Sequence, residues 1–566
     1  MVSLLGLVVY LFSYAALITA LPTQRAISGY APVAATCPAT QLVRTANGLS
    51  DAESNYIHQR YQKASQALES WLKSVDETFE FGQGSWDSHG GWSDWAGQGK
   101  APVLALTSSG GGYRAMLAGA GVIKGFDSRE VDKTGVSGIY QALTYHAGLS
   151  GGSWLLSSIA GNDFPTIGSL QANLWDTTLQ NSLLVPQILL SPQAASVYSA
   201  VEADVQAKRS AGFEPSIIDP WGRLLSYALL YGPDGGVVDT VSGIASTSNF
   251  TSHNAPYPII TALGSNRLID GTCIPQPNAT QYEFHPYEFG SWDAGVDAFV
   301  VTEYLGTSFS NGEAITCVTH YDQLGYVLGT SSNVFGSICS AVPAENSTAV
   351  SALTLVEDLA EIVAVGHPGI PESEIFGLYP NPFHNYPSSA LVSAQPTLEL
   401  VDGGVGVAYQ GNPIWPFLHR EDVDVIIVND NAADTQYNFP NGTEILHTYQ
   451  AAIAAGLTRM PVIPSVATFV SEGLNQKPTF FGCNTNDTAT IVYIPNFNYT
   501  YPSGQPTAKI QYYKNETDGM IANGVEIASY GGKASWPLCL GCGIMKKSGG
   551  TLPNGCAACF KEYCFN

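Results

Sequence analysis

Apolar residues along the chain fall into two spacings. From about Glu53 to Val75 they recur at Ala64, Leu68, Trp71, Leu72 and Val75, with polar residues between. This three-to-four-residue spacing predicts an amphipathic helix. Elsewhere they form short unbroken runs. Pro102–Thr107, the run into Gly148, Thr397–Val401 and Val423–Val428 each end on small or polar residues and read as strands. Two of them pass through glycines into helix-forming sequence, at Ala115–Ala120 and after Ser153-Trp154. Strand, glycine loop and helix in that order predict an α/β architecture. Between about Ser169 and Gln395 helix-like pieces alternate with Pro/Gly/Asn-rich loops, without an internal repeat or a clean linker. Phe81–Lys100, with Trp86, Trp92 and Trp95, reads as a surface loop.

Chemistry concentrates at the ends of these runs. Gly148-Leu149-Ser150-Gly151-Gly152 is a Gly-x-Ser-x-Gly pattern, in which the flanking glycines allow a sharp turn that exposes the serine hydroxyl at a helix start. In a chain with 58 glycines the pattern alone is also compatible with an ordinary turn. Ser108–Arg114 contains Gly110-Gly111-Gly112, a loop able to offer backbone N–H groups to an anion. It lacks the Gly-x-Gly-x-x-Gly spacing of a dinucleotide site and the Gly-Lys-Ser/Thr of a phosphate-binding loop. An oxyanion hole suits it better, since acyl transfer to serine needs donors where negative charge develops. Asp402-Gly403-Gly404 closes the Thr397–Val401 run with an acid, which supplies the third part of a hydrolase site.

Charge narrows the partners. With 23 Lys+Arg against 47 Asp+Glu the formal net charge is -24, and no basic cluster exists to meet nucleic acid or a strongly anionic membrane. Residues 1–20 hold no charged side chain and end in small residues, which predicts a secretory signal peptide; 21–36 is expected to be a short leader. Sequons at Asn249, Asn278, Asn346, Asn441, Asn486, Asn498 and Asn515 predict a glycoprotein. No hydrophobic tail follows Cys564, so no lipid-anchor signal is expected, and export could end in the medium, the wall or an organelle. Ten cysteines in an exported chain predict disulfides. The spacing Cys539-x2-Cys542…Cys556-x2-Cys559 also approximates a zinc ribbon, the alternative for this tail at 539–564.

Taken together, Ser109-Gly110-Gly111-Gly112-Tyr113-Arg114-Ala115-Met116-Leu117, Gly148–Trp154 and Leu400–Gly404 resemble the fungal lysophospholipase/phospholipase B family, similar in turn to cytosolic phospholipases A and patatins. Phe289–Asp293, Tyr304–Thr307, Ser310–Gly312, Val423–Ile426 and the cysteine-rich tail extend the resemblance in family order. It implies a single catalytic domain over residues 37–566, with helices layered around a central, mostly parallel sheet and disulfide-stabilised insertions. It further implies a Ser150–Asp402 dyad without histidine, an oxyanion hole at Gly111 and Gly112 with Gly110 as a third candidate, and Arg114 on the substrate phosphate. The implied substrates are (lyso)glycerophospholipids in micelles or membranes, with transacylation as a side reaction. No cofactor, metal ion or protein partner is implied, and calcium is not expected to be required. Thr107-Ser108 and Val405–Ala408 depart from the family pattern. Two rival readings are a Ser–Asp–His triad through His419 or His447, and a non-catalytic glycoprotein that keeps the fold.

Overall fold

The computed structural model describes residues 29–82, 100–184, 192–265, 267–271, 274–335, 375–406 and 410–565. The expected signal peptide, the tryptophan-bearing loop, Asn346, Cys273 and Cys339 lie outside the described residues.

A 12-stranded sheet organises the molecule. Its centre is five parallel strands in the spatial order β16 (Thr490–Pro495), β14 (Val425–Asp430), β3 (Leu104–Ser108), β4 (Leu143–Gly148) and β5 (Tyr257–Gly264). Every residue of these strands is buried, as unbroken apolar runs demand when helices flank a sheet. From β5 the sheet continues antiparallel through β6 (Gln281–Phe284), β7 (Glu288–Ser291), β8 (Ala298–Val301) and β2 (Val43–Thr45). Beyond β16 lies antiparallel β15 (Thr479–Phe481).

The end of β5 positions the site. Strand β4 pairs with β5 only as far as Gly148 against Ile260, where it turns into Leu149-Ser150. Three residues further on, β13 (Thr397–Val401) pairs antiparallel with β5, Val401 opposite Leu263 and Leu400 opposite Gly264. Leu263 already has β6 on its other edge, so β13 occupies the edge that β4 has vacated. One strand leaves and another arrives from the opposite direction. Ser150, two residues after β4, and Asp402, the residue after β13, are thereby delivered to the same gap.

The predicted amphipathic helix runs Asp51–Val75 and buries Ala64, Leu68, Trp71 and Leu72; the Ser50 hydroxyl caps it by accepting the Glu53 N–H. The stretch 21–36 was expected to lie outside the domain, and that boundary needs correction. Tyr30 is buried and donates a 2.7 Å hydrogen bond to Asp219, and β1 (Val33–Ala34) pairs with β11 (Val318–Thr319). The packed body therefore begins upstream of Cys37, because an aromatic ring and two ladder residues are enough to tie a short irregular segment down.

In the tail, Cys539 pairs with Cys559, Cys542 with Cys556 and Cys483 with Cys564, while Cys37 reaches Cys317. The four cysteines with ribbon-like spacing are thus joined as two disulfides between the helices Trp536–Met545 and Cys556–Tyr563, which settles their alternative in favour of bridging.

Candidate active site

Ser150 stands between β4 and the helix Gly151–Gly161 with φ 52° and ψ -122°. For a residue with a side chain this backbone costs about 1–3 kcal/mol, so the surroundings must impose it. They do so by close packing. A side chain at Gly151 would place its Cβ 2.1 Å from the carbonyl oxygen of Gly112, so only glycine lets the helix start lie against the 108–112 loop. Ser150 is 7% exposed, enough for a hydroxyl to meet a reactant at the N-terminus of an 11-residue helix.

Asp402 follows β13 and is 2% exposed. Its Oδ1 accepts the Gly404 N–H at 2.7 Å, and the Ser150 hydroxyl lies near enough to favour its charged form. Burial raises its pKa from the usual carboxylate range to about 6; the Gly404 amide and the Ser150 hydroxyl oppose that rise. The two residues, 252 positions apart in sequence, are brought side by side.

The glycine loop closes over this pair. A Cβ at Gly110 would lie 3.3 Å from the Ser150 Cβ and 3.8 Å from its Oγ. The Gly110 amide is not turned to the site, since it donates to the Gly411 carbonyl at 2.9 Å. Gly111, at φ 130°, and Gly112, at φ 59°, present amides that meet no acceptor among the described residues. Of the three expected donors, two remain available.

Arg114, in the first turn of the helix Gly112–Phe126, is 1% exposed. Its Nε donates to the Asn431 carbonyl at 3.0 Å, and Nη1 to the Gln505 carbonyl at 2.7 Å and the Thr507 hydroxyl at 2.9 Å. The remaining nitrogen, Nη2, lies alongside Gly111, 2.4 Å from where a Cβ would be. Burial lowers the pKa of this guanidinium, while Tyr512, Glu444, Asp430 and Asp434 favour its charge. Burial also holds those three carboxyl groups above their usual range.

The two candidate histidines have other surroundings: ring contacts for His419 and a helix position for His447. His419 stacks on Trp292 at 5.6 Å between ring centroids and meets Trp415 edge-on; burial, then Arg420, lowers its pKa to about 4. His447 lies on the helix Thr443–Ala454. Among the sequon residues, Asn278, Asn486, Asn498 and Asn515 are exposed, while Asn249 and Asn441 are half-buried.

Several contributors carry no sequence signature. Asn431 donates its amide to the Ser109 hydroxyl at 2.6 Å and accepts Arg114, and the Asn429 carbonyl accepts the Ser109 N–H. The end of β14 thus clamps the glycine loop through main-chain atoms, which any side chain could supply. The only available hint was that β14 ends in polar residues beside a loop of glycines.

A layered α/β sheet with an elbow serine at a helix start, a buried acid beside it and unpaired amides alongside defines a serine-dependent ester hydrolase. Comparison with known proteins makes this specific. Residues 104–566 match the family model described as the lysophospholipase catalytic domain. The chain is 37% identical to Lysophospholipase 2 of Aspergillus fumigatus, over 97% of this chain and 96% of that protein. It is 34% identical to probable lysophospholipase 5 of Schizosaccharomyces pombe, over 95% and 87% respectively. Human GIVD cytosolic phospholipase A2 shares the fold, with a TM-score of 0.66 at 16% identity over 90% of this chain and 69% of that one. The chain belongs to the lysophospholipase catalytic-domain family.

Proposed function

We propose that the protein is a secreted lysophospholipase/phospholipase B that cleaves fatty-acyl esters of glycerophospholipids through an acyl-serine intermediate. The observation that carries this reading is the juxtaposition of the Ser150 hydroxyl, the buried Asp402 carboxylate whose charged form it favours, and the free amides of Gly111 and Gly112.

Asp402 accepts the Ser150 proton as Oγ attacks the acyl carbonyl. The negative charge that moves onto the carbonyl oxygen is met by the Gly111 and Gly112 amides, each such donor being worth about 10²- to 10³-fold in rate. Collapse breaks the ester bond, and the leaving glycerol oxygen takes the proton back from Asp402. Water, deprotonated by Asp402, then attacks the acyl-serine and releases the fatty acid. A hydroxyl of a second lysophospholipid in place of water gives transacylation. Arg114, fixed by three hydrogen bonds and carrying a free Nη2, supplies positive charge for the phosphodiester. An unperturbed aspartate is a weak base for a serine hydroxyl, and the raised pKa of Asp402 narrows that mismatch.

Export is supported by the N-terminal segment, by the disulfides and by four exposed sequon asparagines. The packing of His419 between two tryptophans argues against a triad through that residue.

Product analysis on a monoacyl and a diacyl phosphatidylcholine tests the proposal. Release of fatty acid from the monoacyl lipid, with a fluorophosphonate adduct mapped to Ser150, is expected. A folded protein that neither hydrolyses the lipid nor labels at Ser150 would leave the non-catalytic reading standing.

A further inference from the structure

The dyad is held in register by a third element that belongs to neither strand. On the edge of β5 facing β4 and β13, Thr261 and Ala262 have no strand partner, since β4 stops at Ile260 and β13 begins at Leu263. The last residue of the helix Leu324–Ser331 fills this gap. The Ser331 hydroxyl donates to the Thr261 carbonyl at 2.7 Å and accepts the Ser150 N–H at 3.1 Å, so it stands in for the ladder bond that β4 gives up. Two residues on, the Asn333 carbonyl accepts the Asp402 N–H at 3.2 Å, and its Nδ2 donates to the carbonyls of Leu400 at 3.2 Å and Ile375 at 3.0 Å. Ser331 and Asn333 are both fully buried.

Resting on the dyad reading above, we propose that Ser331 and Asn333 are positioning residues that fix Ser150 and Asp402 relative to one another. A single turn of chain grips the amide of the nucleophile with one residue and the amide of the base with another. The strained backbone of Ser150 needs such a grip, because glycines on both sides leave the elbow free to relax. A hydroxyl suits position 331 because it gives and accepts at once. Alanine there would leave the Ser150 N–H and the Thr261 carbonyl unpaired, and the elbow would settle where it could find other partners.

The test compares wild type, S331A and S332A as full-length proteins, with S150A and D402N as references. Ser332 shares the turn, but its hydroxyl takes the Trp221 indole N–H and donates to the Leu328 carbonyl, touching neither member of the dyad. S331A is expected to lower kcat by about 10- to 100-fold, as small displacements of reacting groups do, with KM within about twofold of wild type. It should also move the acid limb of kcat/KM to higher pH, because the Ser150 hydroxyl favours the charged form of Asp402 and a loosened elbow weakens that bond. S332A is expected to lower Tm while leaving kcat and the acid limb in place. If S331A does not fold, N333S, which cannot reach the Leu400 carbonyl, is judged by the same two readouts. Wild-type kcat and acid limb in the folded variant, or equal behaviour of S331A and S332A, would overturn the proposal. If D402N keeps wild-type activity the dyad reading itself fails, whereas inactive S150A and D402N beside a normal S331A sink the positioning role alone.

Discussion

In the proposed dyad Asp402 has to be ionised before it can accept the Ser150 proton, and its environment sets the pH at which that happens. Burial raises its pKa to about 6, and the hydrogen bonds from Gly404 and Ser150 limit the rise. Below that pH the carboxyl group is protonated and the serine has no base; above it the base is present. On a phosphatidylcholine substrate, whose head group does not titrate in this range, kcat/KM should fall about tenfold per pH unit below about pH 6. A pH–rate profile flat down to about pH 4, the ordinary aspartate range, would show that Asp402 is not the base. Residue by residue, Ser150 and Asp402 were legible as candidates because they follow apolar runs with glycines close by, whereas their pairing as a dyad was only implied by the family resemblance. The use of the Gly110 amide by Gly411 was not legible, since nothing in either residue marks a hydrogen bond across about 300 positions.

Between elements, the site depends on how closely the glycine loop approaches the nucleophile helix. Gly151 packs so tightly on Gly112 that an added Cβ would overlap its carbonyl oxygen. The variant Gly151→Ala must push the loop and helix apart and carry the Gly111 and Gly112 amides away from the acyl carbonyl. We expect at least about a 100-fold loss of kcat, the scale of losing one oxyanion donor, while fluorescence-monitored unfolding still shows a cooperative transition. Activity within a fewfold of wild type would mean that the loop amides do not contribute. Strand and helix types were readable from the runs themselves, and the helix Asp51–Val75 falls where the spacing places it. Strand order was not readable. That β13 takes over the edge of β5 from β4 is a fact of pairing between segments over 100 residues apart, and local pattern carries no information about it.

Across the whole molecule, a buried charge cluster ties the N-terminal helix to the antiparallel half of the sheet. Arg420 donates from Nε to Glu53 at 2.7 Å and its Nη2 lies 2.9 Å from Glu283, all three side chains being about 1–2% exposed. Arg420→Met would leave two carboxylates without their cation in the interior, a loss of about 3–5 kcal/mol measurable by urea denaturation. An unchanged unfolding midpoint would show the cluster to be dispensable. The cysteine pairs act at the same scale, since Cys37–Cys317 closes a separation of 280 residues and fastens a segment that composition alone presented as a loose leader. The central proposal is that Ser150 and Asp402 hydrolyse phospholipid acyl esters without a histidine. Its most direct test is kcat/KM on lysophosphatidylcholine for Asp402→Asn beside His419→Ala and His447→Ala, each checked for native folding. The dyad predicts a loss of at least about 10³-fold for Asp402→Asn and near wild-type values for both histidine variants. An active Asp402→Asn, or a folded histidine variant without activity, would contradict it.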